Sequence, residues 1–247
     1  MGTWGTAIFS DDLAGDIRMR YRSLIGDGLT GEQATDILLE EYQEILEEPD
    51  VTSVFWLALA ATQWRYGRLE PRVQAQALEI IDSGSDLLRW KEDPRSFNKR
   101  QLVLSKLRET LLSPQPPPKR IPKPFRDQCE WDIGEMIGYK LLSGNLILFR
   151  VIGYHVDLGG TSPIFELLDW IGQEIPAQEV LESAGIKVGR QGETQLQVGR
   201  VSKRELPLGR VLRPGIVLKP AQNVAFPLPV TLWRWLDGEL EARYGLS

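Results

Sequence analysis

The chain has 247 residues, 42% of them apolar and 26% charged, the mix of a globular protein with room for two modest domains. Lysine and arginine total 29 against 34 aspartates and glutamates, and the net charge of −5 disfavours bulk attraction to nucleic acid or anionic lipid. One cysteine and one histidine exclude an intrachain disulfide and a Cys/His zinc site, and they confine any Ser-His-Asp or Cys-His chemistry to His155.

Residues 1–113 read as helices. Asp11 or Asp12 caps a helix with Leu13, Ile17, Tyr21, Leu24 and Ile25 on one face, stopped by Gly26 and Gly28. Thr30-Gly31-Glu32-Gln33 has the capping-box pattern, and Ala34, Ile37, Leu38, Tyr42 and Ile45 follow at helical spacing. Pro49 breaks and restarts the chain. The next helix, through Phe55, Leu57, Leu59 and Trp64, is apolar nearly all round and belongs inside a bundle. A helix from Pro71 to Gly84, a turn with Leu87, Leu88 and Trp90, and a last helix after Asp93-Pro94 complete an all-α bundle.

The prolines of residues 114–124 favour an extended spacer and mark a linker between domains. Beyond them the apolar period becomes two. Strands are expected over 134–142, 146–155 and 164–171, with shorter ones over 194–202 and 210–218. A helical turn is expected at 177–183, and a C-terminal helix through Leu232, Trp233, Leu236 and Leu240. The fold class is therefore α+β: a helical bundle over 1–113, and over 125–247 a small SH3-like β-barrel with a terminal helix.

Met1-Gly2-Thr3-Trp4-Gly5 lacks the basic run and apolar core of a secretion signal. The longest uncharged apolar stretch, 51–64, is shorter than the ~20 residues that span a bilayer. With the lone Cys129, these features place the protein in the cytoplasm, away from membranes.

Two stretches carry resemblances. Trp4-Gly5, Phe9, Asp11, Ala14 and Asp16 resemble the opening of an uncharacterised bacterial family that enters a helix through an Asp-x-x-Ala-x-Asp run; Ala7 stands where a glycine is usual. The resemblance spans about the first hundred residues and implies no activity. Gly134-Glu135-Met136-Ile137-Gly138-Tyr139, followed by Arg150-Val151-Ile152, is similar to the opening strands of bacterial immunity proteins, which neutralise partner toxins. Ribonuclease toxins with a related barrel open with a similar phrase. This resemblance implies a binding role and no residue roles.

Charge is the most informative local pattern. From Ser23 to Trp64 there is no lysine, arginine or histidine, and the same 42 residues hold nine carboxylates. Glu32, Asp36, Glu40, Glu44 and Glu48 repeat every four residues and would form a spiralling acidic stripe on one helix. Such a stripe steers a cationic surface, so these five are the candidate contacts for a basic protein partner such as a toxin. The structural alternative is a solvated face paired with Arg65, Arg68, Arg72 or Arg100 of neighbouring helices.

Asp11, Asp12 and Asp16 suit a hard divalent cation and would serve a metal-dependent hydrolase or nuclease; helix caps explain them more simply. Trp4 and Phe9 read as core or staple residues. His155 and Cys129 would make a minimal nucleophilic pair if brought together. Lys119, Arg120, Lys123 and Arg126, with Arg200, Lys203, Arg204, Arg210 and Arg213, would make a nucleic-acid-binding barrel the third reading. The sequence implies no cofactor and no assigned catalytic residue, so non-catalytic protein binding is the leading expectation.

Overall fold

The structure, a computed structural model, describes residues 5–247 and divides into two compact units, 1–124 and 125–247. Trp4 of the opening motif lies outside the described residues.

The first unit is helical because its apolar residues recur at helical spacing between strong caps. In α1 (Asp12–Gly26) the Asp11 carboxylate accepts from Leu13 N at 3.1 Å, and Leu13, Ala14, Ile17, Tyr21, Leu24 and Ile25 are buried. The Thr30/Gln33 capping box forms at the start of α2 (Gly31–Glu41), each side chain bonding the other residue's backbone N–H. In α3 (Pro49–Arg65), Phe55, Leu57, Ala58, Leu59 and Ala60 are all fully buried, and this helix packs against α1, α4 (Pro71–Ser83) and α5 (Pro94–Leu112). A 3-10 turn, Ser85–Trp90, precedes α5 and carries Asp86, whose carboxylate holds Arg100 at 2.7 and 2.8 Å in the interior.

The proline segment is no free spacer. Lys119 N donates to Tyr66 O at 3.0 Å, Arg68 donates to Lys119 O at 2.8 Å, and Ile121 packs on the bundle core. The segment crosses α1 closely at Gly26, where a Cβ would lie 2.7 Å from Pro122 O. A glycine at position 26 is thus needed for this approach, while the left-handed turn after the helix falls at Gly28, φ 100°.

The second unit is built on a six-stranded sheet of order β5-β1-β2-β3-β4-β6. Its strands are β1 (Met136–Lys140), β2 (Leu146–Asp157), β3 (Gly160–Gly172), β4 (Gln195–Gly199), β5 (Val211–Leu212) and β6 (Val230–Leu232). All pairs are antiparallel except β4 with β6. The sheet is open, and the expected closed SH3-like barrel is not formed. Its end strands, β5 and β6, are only two and three residues long, with Pro227 and Pro229 just before β6. The expected strand over 210–218 reduces to β5 and a single bridge between Glu135 and Val217. Leu232, placed in the terminal helix by its sequence, instead ends β6; a 3-10 turn, Trp233–Trp235, then leads into α7 (Leu236–Tyr244).

Period-two alternation sorts the two sheet faces. Ile137, Tyr139, Phe149, Val151, Phe165, Leu167, Leu196 and Val198 pack with Trp131, Trp233 and α7. Met136, Leu148 and Leu168 face the other way and meet Leu181 of α6 (Gln178–Ser183) and Leu218. Across this second face runs a cross-strand row, Met136, Arg150, Glu166 and Gln195. Arg150 pairs with the fully buried Glu166. The loop before β6 covers the row: Ala221 N donates to Glu166 at 3.0 Å, and Gln195 donates to Asn223 O at 2.7 Å.

Candidate functional site

The acidic repeat is not carried by one helix. It begins on α2, which ends at Glu41; residues 42–48 form turns, so Glu44 and Glu48 lie beyond the helix. Pro49 is the physical cause on one side, since it holds Glu48 in an extended conformation, φ −85° and ψ 120°. On the other, Glu40 and Glu41 oppose the negative end of the helix dipole, and α2 has no basic residue in its last turn to relieve them.

Two of the nine carboxylates are matched from neighbouring helices. Arg72 of α4 holds Asp36 at 2.7 Å, and Arg20 of α1 holds Glu41. Glu32, Glu40, Glu44, Glu47, Glu48 and Asp50 are exposed and make no ion pair with another described residue. Of the four arginines that could have matched them, Arg72 pairs with Asp36 and Glu70, Arg68 bonds backbone carbonyls, Arg100 is buried on Asp86, and Arg65 is exposed and ion-pairs with none of the nine. Between residues 40 and 50, Glu41 is compensated by Arg20, while Glu40, Glu44, Glu47, Glu48 and Asp50 keep exposed negative charge.

Asp11, Asp12 and Asp16 line one open cleft of about 650 Å³ beside Phe9 and Met19. Asp11 is engaged as the α1 cap and in an ion pair with Arg89 at 3.2 Å. Among the described residues no three of His, Cys, Asp and Glu are grouped to hold a metal ion. Phe9 packs against the bundle core, with the Arg18 guanidinium 4.5 Å from its ring centre.

His155 stands near the tip of the β2–β3 hairpin with its Nε2 3.4 Å from Asp157. Cys129 donates weakly to Trp131 O at 3.9 Å, and its thiol is pushed up chiefly by burial, with Asp127 and Glu135 adding to the shift. A thiol raised this way stays protonated at neutral pH and is a poor nucleophile. Of the second-unit basic residues expected to serve nucleic acid, Arg200, Arg210 and Arg213 are spent on structure, whereas Lys203 and Arg204 are exposed. Arg200 holds Asp127 at 2.5 Å, Arg210 holds Asp237 at 2.5 Å and Arg213 holds Glu135 at 2.7 Å. Arginines committed to carboxylates present little net positive charge to a phosphate backbone.

A cavity of about 240 Å³ lies in the second unit between residues 127–131, Pro163, the loop 200–208 and Trp233. Trp131 and Trp233 meet edge-to-face beneath it, with centroids 5.7 Å apart and planes at 78°. Asp127 fixes its wall. Its carboxylate accepts from the backbone N and the Nε of Arg200, while its own backbone bonds Gly159 and Thr161 of the hairpin. Leu208, 76% exposed, and the exposed Glu130 stand at the lining without covering it. No local motif announces this cavity, because its walls come from four separated segments; the clustering of tryptophans with Cys129 and Pro163 is visible only in three dimensions.

Comparison with protein-family models, with curated proteins and with solved structures finds no match for this chain. Among the described residues no helix is long and apolar enough to cross a membrane.

Proposed function

We propose that the protein is a non-catalytic binding protein of the immunity or antitoxin kind, which masks a basic surface of a protein partner in the cytoplasm. The observation that carries this reading is the exposed acidic surface of α2 and the turn after it. Glu32, Glu40, Glu44 and Glu48 are exposed and make no ion pair with a described residue, although arginines of the same bundle reach Asp36 and Glu41. Like charges left together on a surface cost stability, and a cationic partner relieves that cost on binding. The same potential attracts the partner at a distance and raises the association rate by roughly 10- to 1,000-fold at low salt. The resemblance of residues 134–139 and 150–152 to immunity proteins points in the same direction.

The test is stopped-flow association with the small basic proteins encoded beside this chain's gene. The association rate is expected to fall steeply with added salt, and by about tenfold or more when Glu40→Lys and Glu44→Lys are combined, with the melting temperature unchanged. Binding that is indifferent to both salt and charge reversal removes α2 from the interface. Absence of any complex removes the reading.

A further inference from the structure

We infer that the cross-strand row Arg150, Glu166 and Gln195 is a binding site for an extended peptide main chain of a partner, and that residues 219–228 occupy it as an autoinhibitory strap. The site belongs to the second unit alone and is independent of the acidic surface on α2.

The way the strap is held carries the argument. It leaves the sheet at Leu218, whose N–H donates to Gly134 O, and rejoins it at Pro229, whose carbonyl accepts from Gln197 N. Between these points no backbone group of the strap bonds another described backbone group. Side chains of the sheet hold it instead. Ala221 N donates to Glu166 Oε1 at 3.0 Å. Gln195 grips two residues at once: its Nε2 donates to Asn223 O at 2.7 Å, and its Oε1 accepts from Ala225 N at 3.0 Å. Bonding the C=O and N–H of residues two apart copies the pairing of a parallel strand. These three bonds read main chain and ignore side-chain identity; only Gln222, on Thr194, adds a side chain of its own. No strap residue packs into either hydrophobic core of this unit, and Phe226 is exposed. A segment held by a few such bonds opens locally at small cost.

The strap also leaves the row incompletely satisfied. Glu166 is fully buried, yet its Oε2 has no hydrogen-bond partner. Arg150 is buried and donates to Glu166 through Nε, while its terminal nitrogens meet no described acceptor. Buried polar groups left unpaired cost free energy that a better-matched occupant recovers. A secondary amide carries both missing partners, an N–H for the carboxylate and a C=O for the guanidinium. The strap enters the row through Pro220, which has no N–H to offer. An extended partner segment with an ordinary residue at that point therefore outcompetes the strap.

The experiment uses the full chain and two blocked, fluorescently labelled octapeptides. One is the strap sequence, Lys-Pro-Ala-Gln-Asn-Val-Ala-Phe; the other replaces its proline with alanine. Anisotropy reports binding, and amide spectra confirm that each variant is folded. Two variants loosen the strap by different means and leave the row intact. Gly153→Ala crowds Val224, whose Cγ2 would lie 2.7 Å from the added Cβ, and Ala225→Pro removes the N–H that Gln195 accepts. Each is expected to tighten binding of the strap peptide about tenfold over the parent chain, the size of one hydrogen bond removed from the competitor. The alanine peptide should bind each chain severalfold tighter than the strap peptide. Methylating the amide nitrogen of its seventh residue should weaken it about tenfold. Glu40→Lys should leave all of these affinities unchanged, which separates this site from the acidic surface. Binding no tighter in the folded loosened variants than in the parent, equal binding of the two peptides, or indifference to N-methylation overturns the inference.

Discussion

The two units handle charge in opposite ways. The first gathers negative residues on α2 and the following turn and leaves most of them in water. The second distributes nearly equal numbers of acids and bases and locks them in pairs, Arg150 with Glu166, Arg200 with Asp127, Arg210 with Asp237 and Arg213 with Glu135. The pairing follows from architecture. An open sheet covered by long loops brings distant segments edge to edge, and bidentate arginines tie those loops down. A helical bundle closes through its apolar faces and leaves its polar faces free to serve another purpose.

Each unit nonetheless buries one ion pair, and these give the sharpest way to break the comparison. Arg100 is satisfied by Asp86 and by Thr6 O, whereas Glu166 keeps a buried oxygen with no partner. Replacing Arg150→Met strands Glu166 inside the sheet unit and is expected to cost about 3–5 kcal/mol in chemical denaturation. The double variant Arg150→Met/Glu166→Leu should recover most of that loss. Hydrogen exchange should show the weakening confined to residues 125–247; weakening that spreads equally into the bundle would mean the two units do not unfold separately.

A smaller effect probes the bundle alone. Thr30→Ala removes half of the capping box of α2 and should cost about 1 kcal/mol, with protection lost first in the α2 amides. The smallest effect is a pH dependence peculiar to the second unit. Hydrogen bonds from Arg210 hold the Asp237 carboxyl below its usual range; burial opposes this, and the Arg210 charge and the Tyr139 hydroxyl add to it. A carboxyl depressed in the folded state contributes stability that is complete above its ordinary pKa of about 3.9 and is lost as pH falls through the lower native value. Asp237→Asn should therefore lower the urea midpoint near neutral pH, and the gap from the parent should close in acid. A gap independent of pH would assign the loss to packing instead.

The elements legible in the sequence are those built from neighbours. The caps at Asp11, Thr30 and Asp93, the apolar face of α1 and the alternation of β1 through β3 each depend on residues within a few positions of one another. The acidic repeat is equally visible, but its spacing overstates the helix, because spacing of four continues past Glu41 while the backbone turns before Pro49. β6 is not legible in the sequence for the opposite reason. Three residues of strand carry almost no periodicity, and Val230 owes its conformation to pairing with Gln197.

Residue order alone thus determined the helical first half, the strand-rich second half, the proline boundary and the segregation of acids, since each follows from local backbone preference or simple composition. Tertiary structure decided whether the sheet closes, which arginine reaches which carboxylate, the docking of the proline segment on the bundle and the existence of a tryptophan-floored cavity. Those outcomes depend on which distant surfaces meet, and a side chain's partner across a fold leaves no periodic trace along the chain.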